Sequence, residues 1–130
     1  MYNSDSFTFI RGIMITGSCY LRGLVSCSFY NCLYARDPRQ KMLCRHDLVN
    51  NVTIRWPVSG CNCKLSMTKS CHLLVLSFNQ KLMHEYTTHG SLLREIRLDD
   101  SVDRPWHCVQ LSTGNFVVSH EGVSNFEYVL

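Results

Sequence analysis

Two matching stretches of the chain decide the fold: Gln40-Lys41-Met42-Leu43-Cys44-Arg45-His46 and Gln80-Lys81-Leu82-Met83-His84-Glu85-Tyr86. Both begin with Gln-Lys, continue as apolar runs and become polar at their ends. Each is followed by a turn-forming segment (47–51 or 87–91) and then by another short run that starts at Val52 or Leu92. A pattern that recurs after about 40 residues is typical of repeat architectures.

The repeat extends upstream and into a third unit. Cys32-Leu33-Tyr34-Ala35 corresponds to Leu73-Leu74-Val75-Leu76 and to Phe116-Val117-Val118-Ser119, and one more short run precedes each of them at 24–26, 65–67 and 109–112. The runs are short, rich in Val, Leu, Ile, Tyr and Phe, and in places alternate apolar with polar residues, which favours strands over helices. We therefore predict strands at 32–36, 41–46, 52–56, 73–77, 81–86, 92–98 and 116–119, and no long helix.

Four strands in about 40 residues is the content of one β-propeller blade. The predicted fold class is all-β, with about two and a half four-stranded blades of an incomplete propeller. Residues 17–56 form blade 1, 57–104 blade 2 and 105–130 a partial blade 3, while 1–16 supply the outer strand of a preceding blade. Because a closed propeller needs four or more blades, we expect a fragment of a longer protein, a truncated gene product, or an open sheet array that pairs with another chain.

Composition restricts the class of protein. The 130 residues are 45% hydrophobic and 18% charged, with a formal net charge of +3, so a packed core is expected and strong non-specific attraction to nucleic acid is not. The most apolar stretch, 7–33, is interrupted by Arg11 and Arg22, which argues against a membrane span. The first residues lack the basic start of a secretory signal, and a cytoplasmic location is favoured.

Two segments resemble NHL repeats, a family of six-bladed propellers. The stretch from Pro105 to His120, with Thr113-Gly114-Asn115 at its turn, is similar to the opening half of an NHL unit. The stretch from His84 to Ile96, with His89-Gly90 at its turn, is similar to the closing half. The resemblance covers roughly residues 17–125, although Arg39-Gln40 and Asn79-Gln80 stand where the family has an Asn-His pair.

The resemblance implies a non-catalytic interaction or scaffold module with a protein partner. One alternative is a fragment of a metal-dependent lactonase or hydrolase of the six-bladed type, and a second alternative is an RNA-binding NHL propeller. No Glu/Asn/Asp constellation matches the channel site of the related enzymes, so the sequence assigns no catalytic, cofactor-binding or metal-binding residue and no cofactor. Self-association of the chain through open blade edges is also expected.

The eight cysteines are scattered through apolar runs, where free Cys packs as a small hydrophobe, so we expect reduced structural thiols. Cys61-x-Cys63 followed by Cys71-His72 has the ligand types of a zinc site but lacks a second C-x-x-C pair. His107 and Cys108 are adjacent, and adjacent residues on a strand face opposite ways, which argues against a catalytic pair.

Three further features have simple structural interpretations. Asn51-Val52-Thr53 matches a glycosylation acceptor, but the turn interpretation of Asn50-Asn51 is favoured. Trp56 and Trp106 each adjoin a boundary proline and are predicted to pack between blades. A loose basic cluster is predicted to be a solvated blade edge, because Asp37 and Asp47 interrupt it; its members are Arg36, Arg39, Lys41 and Arg45.

Overall fold

The computed structural model describes residues 21–58, 63–77, 80–120 and 126–129. Within these ranges every regular element is a strand, and no helix capable of crossing a membrane is found there. In chain order the strands are β1 Arg22–Cys27, β2 Cys32–Asp37, β3 Met42–Asp47, β4 Val52–Pro57, β5 Cys63–Met67, β6 Leu73–Ser77, β7 Leu82–Tyr86, β8 Leu92–Arg97, β9 Pro105–Gln110, β10 Phe116–His120 and β11 Phe126–Val129. The segment 1–16 and its predicted outer strand lie outside the described residues.

The strands form three antiparallel sheets in which sequence neighbours are spatial neighbours. Blade 1 is β1-β2-β3-β4, blade 2 is β5-β6-β7-β8, and blade 3 is β9-β10-β11. Each of the seven predicted strands is confirmed, with ends that differ by no more than one residue. The run 109–112 is different: β9 ends at Gln110 because Leu111 begins a turn that Gly114 closes at φ 94°.

The repeated Gln-Lys dipeptide marks a specific turn conformation. Lys41 and Lys81 adopt φ of 54° and 52°, in the left-handed region that costs a non-glycine residue about 1–2 kcal/mol. Their carbonyls accept backbone hydrogen bonds from Val58 (3.0 Å) and Leu98 (2.9 Å), just beyond β4 and β8. The same bond therefore anchors the end of both blades, and it offsets the strain at each lysine.

The middle sheet has a hydrophobic core on each face. Every residue of β6 is buried, and because successive side chains in a strand point to opposite faces, Leu73 and Val75 pack toward blade 1 while Leu74 and Leu76 pack toward blade 3. The core between blades 1 and 2 contains Cys27, Cys32, Tyr34, Leu43, Trp56, Leu65, Leu73 and Val75. The core between blades 2 and 3 contains Leu74, Leu76, Met83, Leu98, Val102, Cys108, Phe116 and Val118.

The three sheets spread apart from their first strands. β1 contacts β5, and β5 contacts β9, whereas the outer strands β4 and β8 of the described blades make no contact with each other. Each blade thus has an inner strand, namely β1, β5 or β9. One end of the sheets carries the turns 28–31, 48–51, 68–72, 87–91 and 111–115, and we call it the hairpin face; the opposite end, which carries 38–41 and 98–104, is the linker face.

Candidate interaction site

An exposed aromatic pair lies on the hairpin face of blade 1. Phe29 and Tyr30 occupy the turn between β1 and β2, with 74% and 40% of their surfaces exposed, and their rings meet edge to face at 4.8 Å between centroids. Val49, which is 72% exposed, lies in the turn between β3 and β4. We call Phe29, Tyr30 and Val49 the aromatic tip.

Backbone hydrogen bonds hold the aromatic tip in place. The amide of Asn31 donates to Ser28 within the first turn, and the amide of Leu48 donates to Asn31 at 2.9 Å, which links the two turns. The Asp47 carboxylate accepts from the amides of Val49 and Asn50 at 2.8 and 2.9 Å, and these hydrogen bonds lower the pKa of Asp47. An apolar patch on such a fixed frame loses little conformational entropy when a partner binds.

The sheet register places a basic residue at the same position of all three inner strands. Each basic residue pairs with the penultimate residue of the second strand in its blade, so the three positions are equivalent. In blade 1 this residue is Arg36, one position later than Ala35, which the sequence alignment matched to Leu76 and Ser119. The pairs are Arg22 with Arg36, Lys64 with Leu76, and His107 with Ser119. We call Arg22, Lys64 and His107 the inner basic row, and it lies toward the linker face.

Trp106 lies beside this row, not inside a core. Its side chain is 47% exposed, and the Lys64 ammonium lies 5.1 Å from its ring centroid, a cation–π geometry. Trp106 of blade 3 thus contacts blade 2, as predicted, but it does so at the exposed edge and not in the core between the blades. Trp56, in contrast, is buried between blades 1 and 2 against Tyr34 and Tyr86, as predicted.

A buried carboxylate lies on the blade 3 side of blade 2. His72 Nδ1 and Arg94 Nε each lie 2.7 Å from a different oxygen of Glu85, and the Arg94 guanidinium is 5.2 Å from the Phe116 ring of blade 3. Burial alone would raise the pKa of Glu85, but the hydrogen bonds from His72 and Arg94 outweigh burial and lower it. Each carboxylate oxygen therefore has a partner within blade 2, and Glu85 links the turn before β6 to β8.

The structure describes the side chains of two of the four zinc-ligand candidates, Cys71 and His72, and these two do not converge on one site. Cys61 and the side chain of Cys63 lie outside the described residues. Cys71 packs into the core between blades 1 and 2, while the adjacent His72 binds Glu85. Within the described ranges no group of three or more His, Cys, Asp and Glu side chains could hold a metal ion.

The His107–Cys108 pair is separated as strand geometry requires. Cys108 is buried in the core between blades 2 and 3, and burial raises the pKa of its thiol to about 11. His107 is exposed on the other side of β9. A thiol with so high a pKa is a poor nucleophile at neutral pH.

The basic cluster of the sequence is dispersed by the fold. Arg45 points between blades 1 and 2, where its Nε donates to Thr88 Oγ1 at 3.0 Å, and Arg36 is buried. Arg39 and Lys41 remain exposed on the linker face. At the acceptor motif, Asn51 adopts the turn conformation with φ 57°, and Thr53 Oγ1 lies 2.8 Å from His46 Nδ1.

Comparison with known proteins identifies the fold only. No protein-family model and no curated protein sequence matches the chain. A streptogramin B lyase structure matches with a TM-score of 0.65 and 8% identity, over 84% of this chain and 40% of that chain. A catalytically inactive virginiamycin B lyase from Staphylococcus aureus with quinupristin matches with a TM-score of 0.66 and 8% identity, over 89% and 43%. A protein of unknown function from Bacteroides caccae matches with a TM-score of 0.61 and 13% identity, over 91% and 44%.

The chain is part of a β-propeller. It spans about two-fifths of the length of these solved proteins. Virginiamycin B lyase is a seven-bladed propeller, and the described strands are close to the same fraction of seven four-stranded blades. The resemblance to NHL repeats stays a prediction, since no family model matches.

Sequence reasoning missed both the aromatic tip and the inner basic row. Phe29 and Tyr30 could have been identified from the sequence, because aromatic residues between two strand-like runs lie in a turn and cannot enter the core of a sheet. The inner basic row could not, because the equivalence of three residues about 40 positions apart is known only from the strand register.

Proposed function

We propose that the chain supplies part of a propeller that acts as a non-catalytic protein-interaction module, with the aromatic tip as its contact site. The observation that carries the proposal is the exposed, edge-to-face Phe29–Tyr30 pair on hydrogen-bonded turns. Aromatic residues are enriched in the centres of protein interfaces, and the charged residues that are depleted there are absent from the tip. The partner is a protein with an apolar pocket that accepts the Phe29 ring.

The test compares a tip variant with an equally exposed control. The chain is used as bait with a photo-crosslinker near the tip, the captured protein is purified, and its affinity is measured by titration. Phe29→Ala with Tyr30→Ala is expected to weaken binding about 30-fold or more, the size of one interface hot spot. Leu24→Ala, which truncates a residue 67% exposed on β1, is expected to bind normally. Equal affinities of the tip variant and the control would refute the proposal.

The absence of catalysis is part of this proposal and has its own test. The structural neighbours include lyases, so a propeller of this shape can carry an active site. An activity screen of the folded chain against lactones and cyclic peptides is expected to give no turnover above that of the same chain unfolded in urea, and turnover that disappears on unfolding would contradict the proposal.

A second candidate function, RNA binding, is favoured by the inner basic row and Trp106. Cations that contact phosphates beside an exposed aromatic ring are the usual means of holding a single strand. If this function holds, Lys64→Ala lowers the slope of log affinity against log salt by about 0.7 for a single-stranded RNA, whereas Trp106→Ala weakens binding at every salt concentration. Salt-independent or unmeasurable RNA binding would eliminate it.

A further inference from the structure

A guanidinium group lies in the cleft between blades 1 and 2, toward the hairpin face. The strand register places Arg45 between Tyr34 and Ile54, in a row of side chains that point toward blade 2. From blade 2, the turn 87–91 reaches this row. Thr88 Oγ1 accepts hydrogen bonds from Tyr34 Oη at 2.9 Å and from Arg45 Nε at 3.0 Å. The Nε of Arg45 is thereby occupied, and its two Nη atoms remain for a ligand.

The buried polar groups of this cleft are hydrogen-bond donors with too few acceptors. Tyr34 and Thr88 are 0% and 7% exposed, and their two hydroxyl groups share one hydrogen bond. One of the two hydroxyl protons therefore has no acceptor among the described residues. Trp56, which packs against Gly90 of the same turn, is also buried, and its Nε1 has no hydrogen-bond partner there. Because buried polar groups are nearly always hydrogen-bonded, the cleft is complementary to a ligand that supplies acceptors.

The positive charge of Arg45 is not neutralised within the described ranges, where this residue forms no ion pair. Two carboxylates face the same cleft, but each is bonded elsewhere. Asp47 accepts from the amides of its own turn, and Glu95 lies 2.9 Å from His84. In the repeat, Arg45 corresponds to Glu85, which has a donor on each carboxylate oxygen. A partly buried cation without a counter-ion attracts an anion, because solvent screens the attraction less there than at the surface.

We propose that Arg45 and Thr88 form a binding site for a carboxylate group. Since Nε is bonded to Thr88, the guanidinium presents its two Nη atoms side by side, and two parallel N–H donors match the two oxygens of a carboxylate. A single cation balances a single negative charge, which favours a carboxylate over a phosphate dianion. The unused hydroxyl proton of the Tyr34–Thr88 pair is a further donor beside the guanidinium. The carboxylate belongs to a free small acid or to an acidic side chain of a protein, and the same contacts recognise both.

Nuclear magnetic resonance tests the site on the unmodified chain. The Nε–Hε signal of Arg45 is assigned by its loss in Arg45→Lys. Sodium acetate and sodium chloride are then titrated at equal ionic strength. Acetate is expected to shift the Arg45 signal with a millimolar dissociation constant and to reach saturation, whereas chloride is expected to leave the signal in place. An Arg45 signal that neither salt shifts, or that both shift equally, overturns the proposal.

Variants separate the paired donors from the charge alone. Arg45→Lys keeps the charge but removes the two parallel donors, so acetate binding, followed on the backbone amide of Thr88, is expected to weaken about 10-fold or more. Arg97→Lys, the same change on the exposed end of β8, is expected to bind acetate as the unmodified chain does. If Glu95→Gln moves the Arg45 signal as far as acetate does, Glu95 is already the counter-ion and the proposal fails.

Two probes distinguish the sources of the carboxylate. Tighter binding of acetate than of a blocked tripeptide with a central glutamate indicates a free small acid, and tighter binding of the tripeptide indicates an acidic side chain of a protein. Both measurements use the chain alone and do not depend on a partner at the aromatic tip. A failure of this proposal therefore leaves the proposed function of the tip untouched, and the reverse also holds.

Discussion

Replacing Gly90 with alanine tests the packing of blade 2 against blade 1. Gly90 lies in the turn between β7 and β8 at φ 88°, and a Cβ there would lie 2.9 Å from Cδ2 and 3.0 Å from Cε3 of the Trp56 ring. The positive φ costs an alanine about 1–2 kcal/mol. Displacing a buried indole adds about 1–3 kcal/mol of overpacking. The total expected loss in the free energy of unfolding is therefore about 2–5 kcal/mol.

Gly114 supplies a matched control. It has a similar φ of 94°, but a Cβ there meets nothing within 4 Å, so Gly114→Ala is expected to show the backbone cost alone. In urea unfolding, an excess loss of ~2 kcal/mol for Gly90→Ala lowers the midpoint by roughly 1 M relative to the control. In a Trp56→Leu background, Gly90→Ala is expected to cost no more than Gly114→Ala, because the obstructing ring is gone. Equal losses for the two alanine variants in the unmodified background would show that the blades do not pack as described.

Three further outcomes are expected. The hydrogen bonds from His72 and Arg94 lower the pKa of Glu85. The stability that they add is fully present above the unfolded pKa of about 4.5 and is lost as the pH falls through the lower folded pKa. In urea melts at pH 3–6, Glu85→Gln is therefore expected to make the free energy of unfolding less dependent on pH. Burial raises the pKa of Tyr34 to about 12, and the ultraviolet difference between the folded chain and Tyr34→Phe is expected to show no tyrosinate signal at pH 10.5. Val109 is 42% exposed on the outer side of blade 3, and light scattering should detect self-association that Val109→Lys reduces; a chain that is monomeric without the substitution would contradict this.

Local patterning was sufficient to predict seven of the eleven described strands. The Gln40-Lys41 and Gln80-Lys81 repeat indicated two equivalent units, and both lysines adopt the same left-handed conformation. The apolar run 73–76 predicted a strand, and β6 forms there with every residue buried. The turn conformation and the strand depend on residues a few positions apart, so the local sequence is enough to predict them.

The contacts between blades were decided by the tertiary structure alone. Thr88 accepts hydrogen bonds from both Tyr34 and Arg45, and nothing near Thr88 in the sequence indicates either donor. Trp106 adjoins a proline just as Trp56 does, yet it lies beside Lys64 and remains half exposed. Such contacts depend on how two sheets, formed by segments about 40 residues apart in the sequence, are rotated and aligned against each other. That alignment results from the packing of all the residues in both cores, so no single stretch of the chain determines it.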